Sequence, residues 1–106
     1  MFARMLELTL KTDKKLEVTR KMKDEIVPIL RKYPGFLDVL ALEVENEPTK
    51  FFAISLWTNR TDIEKYEREM YPKVKTILAP YLTVAPTVKF CNVDHTITEK
   101  LLAVAA

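Results

Sequence analysis

The apolar residues of this chain follow two different spacings in turn, and the order of these spacings restricts the fold more than any other feature of the sequence. Four segments are rich in apolar and β-branched residues without a helical repeat, which is typical of strands: 2–10, 36–45, 50–58 and 87–94. Two segments between them carry apolar residues at every third or fourth position, as one helix face does. The first face consists of Val18, Met22, Ile26, Ile29, Leu30 and Tyr33. The second consists of Ile63, Tyr66, Met70, Val74, Ile77, Leu78 and Tyr81.

The predicted order is therefore β-α-β-β-α-β. This is the ferredoxin-like α+β arrangement, a four-stranded antiparallel sheet with both helices on one face. A chain of 106 residues suits a single domain. We predict this domain over residues 1–94, followed by a tail over 95–106 that can form a short helix docked on the domain or on a partner subunit.

Several residues mark the ends of the first helix. Thr12 or Asp13 is predicted to cap it, because a side-chain oxygen there can accept an unpaired backbone amide. Pro28 lacks an amide hydrogen and crowds the preceding turn, so we expect a kink or an early end. Gly35 is expected to take a positive φ in the turn before the second strand.

The second helix has a start signal and an internal break. Residues Thr61 to Glu64 read as a capping box, in which a hydroxyl and a carboxylate each satisfy a backbone amide. Pro72 interrupts the apolar repeat. It either kinks the helix or begins a second segment, since proline is tolerated in a first helical turn.

Both faces of the predicted sheet carry apolar side chains. Phe51 and Phe52 are adjacent and therefore point to opposite faces. In the second strand, one face has Leu37, Val39 and Ala41, and the other has Phe36, Leu40, Leu42 and Val44. The helices can cover only one face, and an exposed apolar face of this kind marks an interface. We therefore predict a homodimer packed sheet to sheet.

The charge and composition argue against several classes of protein. Seventeen basic and fifteen acidic residues are mixed along the chain, giving a net charge of +2, without the one-sided basic stripe of a nucleic-acid binder. A single glycine rules out the glycine-rich phosphate loops. No apolar run is long enough to span a bilayer, and we see no signal peptide. One cysteine, Cys91, precludes an intrachain disulfide. We expect a cytoplasmic protein without nucleic-acid or membrane partners.

Arg4 and His95 are the first two candidate site residues. Arg4 lies on a mostly apolar face, where a charge needs compensation. It either occupies an edge position or has a partner such as Glu43, or it clamps an anion or enolate in a cleft. His95 is the only histidine, so imidazole acid–base chemistry must use it; otherwise it is a solvated residue after the last strand. Cys91 and His95 would lie roughly 13 Å apart along a strand, so no metal site is predicted.

Three aromatic residues are further candidates. Trp57, the only tryptophan, either lines a pocket for a planar substrate or fills the core at the end of the third strand. Tyr66 lies on the apolar face of the second helix, with a hydroxyl that can reach a substrate at the edge of the core. Tyr71 is expected to face solvent or a partner subunit.

Two motifs carry a resemblance to a known family. The segments "PGF" (34–36), which opens the second strand, and "LWTNRTDIEKY" (56–66), which joins the third strand to the second helix, resemble those of the antibiotic biosynthesis monooxygenase family. The resemblance covers residues 2–94. It implies a dimeric α/β barrel, and in part of the family it implies cofactor-independent oxygenation of polyketide phenols. Other members are heme-degrading enzymes or a quinol oxygenase.

The resemblance can be carried over one residue at a time from Trp57. In the polyketide oxygenases the matching tryptophan lines the pocket, and the positions of a further asparagine, tyrosine and arginine correspond here to Ala53, Ile63 and Ile77. The functional residues of the heme-degrading branch would fall at Leu6, Tyr66 and Thr76, which lack the matching side chains. Heme degradation is therefore not expected.

The sequence leads to two functional hypotheses. The first is a cofactor-independent monooxygenase that oxidises a planar phenol or quinol with O₂, using the residues Trp57, Tyr66, His95 and Arg4. The second is a non-catalytic module for binding a small aromatic ligand or for dimerisation. The second is favoured by the apolar residues found where the oxygenases have polar ones.

Overall fold

The order of elements predicted from the sequence is confirmed. The structure is a computed structural model and describes residues 1–98. The strands are β1 (Phe2–Thr9), β2 (Phe36–Glu43), β3 (Lys50–Trp57) and β4 (Thr87–Asn92). The helices are α1 (Lys15–Lys21), a π-helical segment (Met22–Ile26), α2 (Val27–Leu30), α3 (Arg60–Glu69), α4 (Tyr71–Leu78) and a 3₁₀ turn (Ala79–Tyr81). None of the helices in this part of the chain is long and apolar enough to cross a membrane. The helix predicted in the tail falls mostly outside the described residues.

The strand β1 lies at the centre of the antiparallel sheet, whose order is β2-β3-β1-β4. Leu6 pairs with Ala53 on one side and with Val88 on the other. Alternate residues of β1 point to the helices, and these are buried: Arg4, Leu6 and Leu8. Leu6 and Leu8 form one apolar core with the buried residues of the helices, Val18, Met22, Ile26, Ile29, Leu30, Ile63, Tyr66, Tyr71, Val74 and Leu78.

The two prolines inside the helical repeats have different effects. Pro28 does not end the first helix, which continues through it to Leu30. Instead, the π-helical segment directly precedes Pro28. A π-helical turn is wider than an α-helical one and accommodates the proline ring, which has no amide hydrogen to donate. Such turns also bend helices. Pro72 lies in the first turn of α4, as the second alternative predicted.

Both predicted helix caps are wrong. Neither Thr12 nor Asp13 caps α1, which begins at Lys15 without a side-chain cap; Asp13 instead takes a left-handed turn conformation with φ of 63°. At α3 the cap is Asn59, whose Oδ1 accepts a hydrogen bond from the amide of Asp62 at 2.8 Å. The cap thus lies two residues before the predicted one at Thr61, because an asparagine is as good a cap as a threonine.

Gly35 is required by a close approach and not by its backbone dihedral, since it has no positive φ. Its amide donates to Asp62 Oδ2 at 2.5 Å, and its carbonyl accepts from the amide of Thr58 at 2.8 Å. A Cβ at this position would lie 2.5 Å from Asn59 Nδ2. These bonds tie the turn before β2 to the start of α3.

The sheet face opposite the helices is apolar, as predicted. Leu40 pairs with Ile54 and Leu42 with Phe52, and both leucines are 44% exposed. Phe36, however, packs on the helix side and not on this face. The pairing of β2 with β3 shifts between Phe36 and Asp38, and such an irregularity inverts the alternation of side chains on one side of it.

Loss of the observed cap should destabilise the protein measurably. We expect Asn59→Ala to lower the free energy of unfolding by about 1 kcal/mol, because the Asp62 amide loses its acceptor. Thr61→Ala is the matched control and should change it by less than about 0.5 kcal/mol, as for an ordinary surface position. Urea unfolding of both variants measures this. The reverse order of the two effects would place the cap at Thr61.

Adding a methyl group at Gly35 should overpack the turn. We expect Gly35→Ala to lower the free energy of unfolding by roughly 1–3 kcal/mol, because the new Cβ meets Asn59 and Asp62 at 2.5 and 2.6 Å. The double variant with Asn59→Ala should lose less than the sum of the single losses, since one clash disappears. Additive losses in the same unfolding experiment would show that the approach to Asn59 is not the cause.

Candidate functional site

A buried charge lies in the central strand. Arg4 is only 3% exposed, and its Nε donates to Glu67 Oε1 on α3. The prediction that Arg4 needs a partner is confirmed, but Glu43 is not that partner, because it pairs with Lys15 at 2.5 Å. Nor is Arg4 at an edge, since β1 has strands on both sides. The ion pair joins β1 to α3.

Two tyrosine rings flank the guanidinium of Arg4. Its Cζ lies 4.3 Å from the ring centre of Tyr71 and 5.1 Å from that of Tyr66, within the range of cation–π attraction. The expectation that Tyr71 faces solvent or a partner is wrong, because Tyr71 is buried. The reason is that α3 ends at Glu69 and a new helix begins at Tyr71, so the helical phase starts again there.

Trp57 lies at the centre of an aromatic cluster. It is fully buried, with ring centres at 5.4 Å from Phe36, 6.1 Å from Tyr33 and 6.0 Å from Tyr66. Its Nε1 donates to Ser55 Oγ at 2.9 Å, which satisfies the only polar atom of the indole. In this position Trp57 fills the core at the end of β3.

The two buried phenols stay protonated at neutral pH. Burial raises the pKa of Tyr66 to about 12 and is also the main cause of the raised pKa of Tyr71; the neighbouring Arg4 charge opposes both shifts. Desolvation penalises the phenolate more than the phenol, so neither hydroxyl is a base near pH 7. Within the described residues, Tyr71 Oη and Arg4 Nη2 are buried without a hydrogen-bond partner.

A cavity of about 420 Å³ opens beside this cluster, between α3 and the ends of β1 and β4. Its apolar wall includes Phe2, Ile63 and Phe90. Phe90 pairs with Arg4 across the two strands and is 50% exposed, because β4 is an edge strand. The charged residues that line the cavity are Arg60, Glu64, Glu67 and Arg68.

The structure brings together three of the four residues singled out from the sequence. Arg4, Tyr66 and Trp57 pack in one buried cluster, but none of them lines the cavity. His95 is separate from them: it is exposed in the turn after β4. Among residues 1–98 there is no group of three or more histidine, cysteine or acidic side chains that could hold a metal ion.

Glu67 is the residue that sequence reasoning missed. It belongs both to the Arg4 cluster and to the lining of the cavity, and its side chain is 27% exposed. A signal for it was present, because Glu67 follows the buried Ile63 by four residues and so lies on the same side of α3. A buried arginine opposite that side predicts a carboxylate there.

Comparisons with known proteins agree with this architecture. A monooxygenase from Streptomyces coelicolor in complex with nanaomycin D has a TM-score of 0.75 and 13% identity, covering 93% of this chain and 92% of that one. A conserved protein from Methanosarcina mazei Go1 has a TM-score of 0.72 and 14% identity, covering 89% and 94% respectively.

A third similar structure is a candidate antibiotic biosynthesis monooxygenase from Caulobacter crescentus, with a TM-score of 0.75 and 15% identity, covering 88% of this chain and 89% of that chain. At such identities the likeness shows a shared fold. No curated protein matches the sequence significantly. The family model for antibiotic biosynthesis monooxygenase, however, matches residues 1–73. This match covers more than half of the sequence, and the chain therefore belongs to the antibiotic biosynthesis monooxygenase family.

Proposed function

We propose that this protein is a monooxygenase that oxidises a planar phenol or quinol with O₂, without a cofactor, in the cavity beside α3. The cavity itself is the observation that carries the proposal. Its volume of about 420 Å³ lies within the usual range for small-ligand sites, which combine apolar walls with few polar groups. Family membership and the nanaomycin D complex of the similar Streptomyces coelicolor protein support the same reading.

The walls of the cavity suit a flat aromatic molecule. Phe2 and Phe90 offer aromatic surface to a ligand. The interaction free energy of two aromatic rings in contact exceeds what their buried area alone contributes. Ile63 belongs both to this wall and to the core, so the cavity has a rigid side. A fixed apolar wall of this kind holds a substrate in one orientation while O₂ approaches it.

The residues chosen from the sequence take indirect roles in this proposal. Arg4, Tyr66 and Trp57 lie behind the cavity wall and hold α3 against the sheet. Only Glu67, bound to Arg4, extends from that cluster into the cavity. His95 has no role in the proposed site, because it is exposed after β4.

A non-catalytic ligand-binding module is the second candidate. The observation in its favour is that, among residues 1–98, neither a histidine nor a tyrosine lines the cavity, and these are two of the common groups for proton transfer. Ala53 and Ile63 are apolar and buried where the resemblance places polar residues in the oxygenases.

Oxygen uptake with anthrones and hydroquinones distinguishes the two candidates. We expect uptake by the wild type, and a KM about tenfold higher for Phe90→Ala, since losing an aromatic wall costs about 1.4 kcal/mol of binding. Val84→Ala, another exposed apolar residue but away from the cavity, is the control and should change nothing. Tight binding of the same compounds without oxygen uptake would support the binding module. The absence of both binding and oxygen uptake would contradict both candidates.

We also propose that the protein is a homodimer in which two copies pack through the sheet face opposite the helices. The support is the apolar character of that face, where Leu40 and Leu42 are each 44% exposed. Burying such residues in an interface removes apolar area from water. A cytoplasmic location, where Cys91 would stay reduced, is part of the same expectation.

Charges on this face should separate the dimer. We expect the wild type to have the mass of a dimer at micromolar concentration, and Leu40→Lys with Leu42→Lys to have that of a monomer, because the lysines would be buried without partners. Val84→Lys, on an exposed residue in the loop before β4, should remain dimeric. Size-exclusion chromatography with light scattering gives these masses. A monomeric wild type would rule out the proposed dimer.

A further inference from the structure

We propose that Glu67, held in place by Arg4, is the specificity-determining residue of the cavity and accepts a hydrogen bond from the hydroxyl of a phenolic ligand. Arg4 is the positioning residue of this pair. The inference rests on the proposed function in one respect, namely that the cavity beside α3 is the ligand site. It adds the group that recognises the ligand and the chemical feature that is recognised.

The position of Glu67 is the first support. Its carboxylate bridges the buried cluster and the open cavity, with a side chain that is 27% exposed. One oxygen, Oε1, accepts from Arg4 Nε. The other, Oε2, has no hydrogen-bond partner among residues 1–98. A carboxylate only accepts hydrogen bonds and has room for several, so Oε2 is an acceptor available to a ligand.

The rigidity of Glu67 is the second support. The guanidinium that binds it is almost completely buried and lies against the rings of Tyr66 and Tyr71. A glutamate on an exposed helix surface moves among many rotamers, and fixing it costs entropy on binding. Here the ion pair has already fixed the carboxylate, and a preorganised acceptor discriminates between ligands more sharply than a mobile one.

Most of the charged side chains around the cavity are already paired. Two arginines and two glutamates line it. Arg60 and Glu64 pair with each other at 3.3 Å, and Glu67 pairs with Arg4. Arg68 is the remaining charged residue of the lining, and it has no ion-pair partner among residues 1–98. An uncharged hydroxyl can donate to Glu67 Oε2 without disturbing either pair.

The apolar wall identifies the rest of the ligand. Phe2, Ile63 and Phe90 share the cavity lining with Glu67, so a flat ring can contact them while its hydroxyl reaches the carboxylate. This combination describes a phenol. It also separates a phenol from its methyl ether, which has the same ring but no hydrogen to donate.

The test compares the binding of 1-naphthol and 1-methoxynaphthalene by isothermal titration calorimetry. We expect the wild type to bind 1-naphthol about tenfold to hundredfold more tightly than the ether, as for a hydrogen bond to a charged group. Replacing Glu67 alone would leave the buried Arg4 without its partner. The variant is therefore Arg4→Met with Glu67→Met, since apolar residues of similar size can replace a buried ion pair without loss of the fold.

The double variant should bind the two naphthalenes with nearly equal affinity. The matched control is Glu64→Gln, which removes a different carboxylate from the same lining and should keep the wild-type ratio of affinities. Circular dichroism confirms that each variant is folded. A ratio near one in the wild type, or a wild-type ratio in the folded double variant, would overturn the role of Glu67.

The calorimetric test of Glu67 and the oxygen-uptake test of the proposed function can fail independently of each other. Discrimination that depends on Glu67, without oxygen uptake, supports this inference and contradicts the monooxygenase. Oxygen uptake that is the same in the wild type and the double variant, with no discrimination in either, supports the monooxygenase and overturns the role of Glu67.

Discussion

The buried ion pair between Arg4 and Glu67 is the interaction on which the rest of the structure depends. A guanidinium on the helix side of the central strand must be compensated, and removing one partner of such a pair costs roughly 3–5 kcal/mol. The compensation comes from α3, which supplies Glu67 and the Tyr66 ring, and from α4, which supplies the Tyr71 ring. Both helices are thereby fixed against β1. The same carboxylate lines the cavity, so the packing of the core also positions a polar group of the candidate site.

The two apolar faces of the sheet differ in what covers them. The helix side is closed by the core, and Trp57 lies in it without access to the cavity. The cavity of the candidate site lies near β4, where this edge strand leaves Phe90 half exposed. The opposite face, with Leu40 and Leu42, has no helix over it. One small domain thus has a ligand-sized opening on one side and an interface-like surface on the other.

The sequence predicted the fold well wherever burial follows a simple period. Helical spacing located both helical regions, and the adjacent pair Phe51 and Phe52 indicated two apolar sheet faces. Predictions failed where one residue or one bond changes the phase of the side-chain repeat along a helix or strand. Asn59 and not Thr61 caps α3, an irregularity in β2 moves Phe36 to the other face, and the new start at Tyr71 buries a ring expected outside. For the site, sequence reasoning selected Arg4, Tyr66 and Trp57, which pack together, but missed Glu67.

The sequence by itself determined the order of the elements, the two apolar faces and the need of Arg4 for a partner, because each follows from local spacing or from the cost of burying a charge. Only the tertiary structure decided which carboxylate meets Arg4, since Glu67 and Glu43 are both distant from it along the chain and their positions depend on how α3 and β2 pack. It also decided that Trp57 is enclosed and Glu67 is not. Which side of a helix meets the cavity is set by contacts between elements, and no local pattern encodes these contacts.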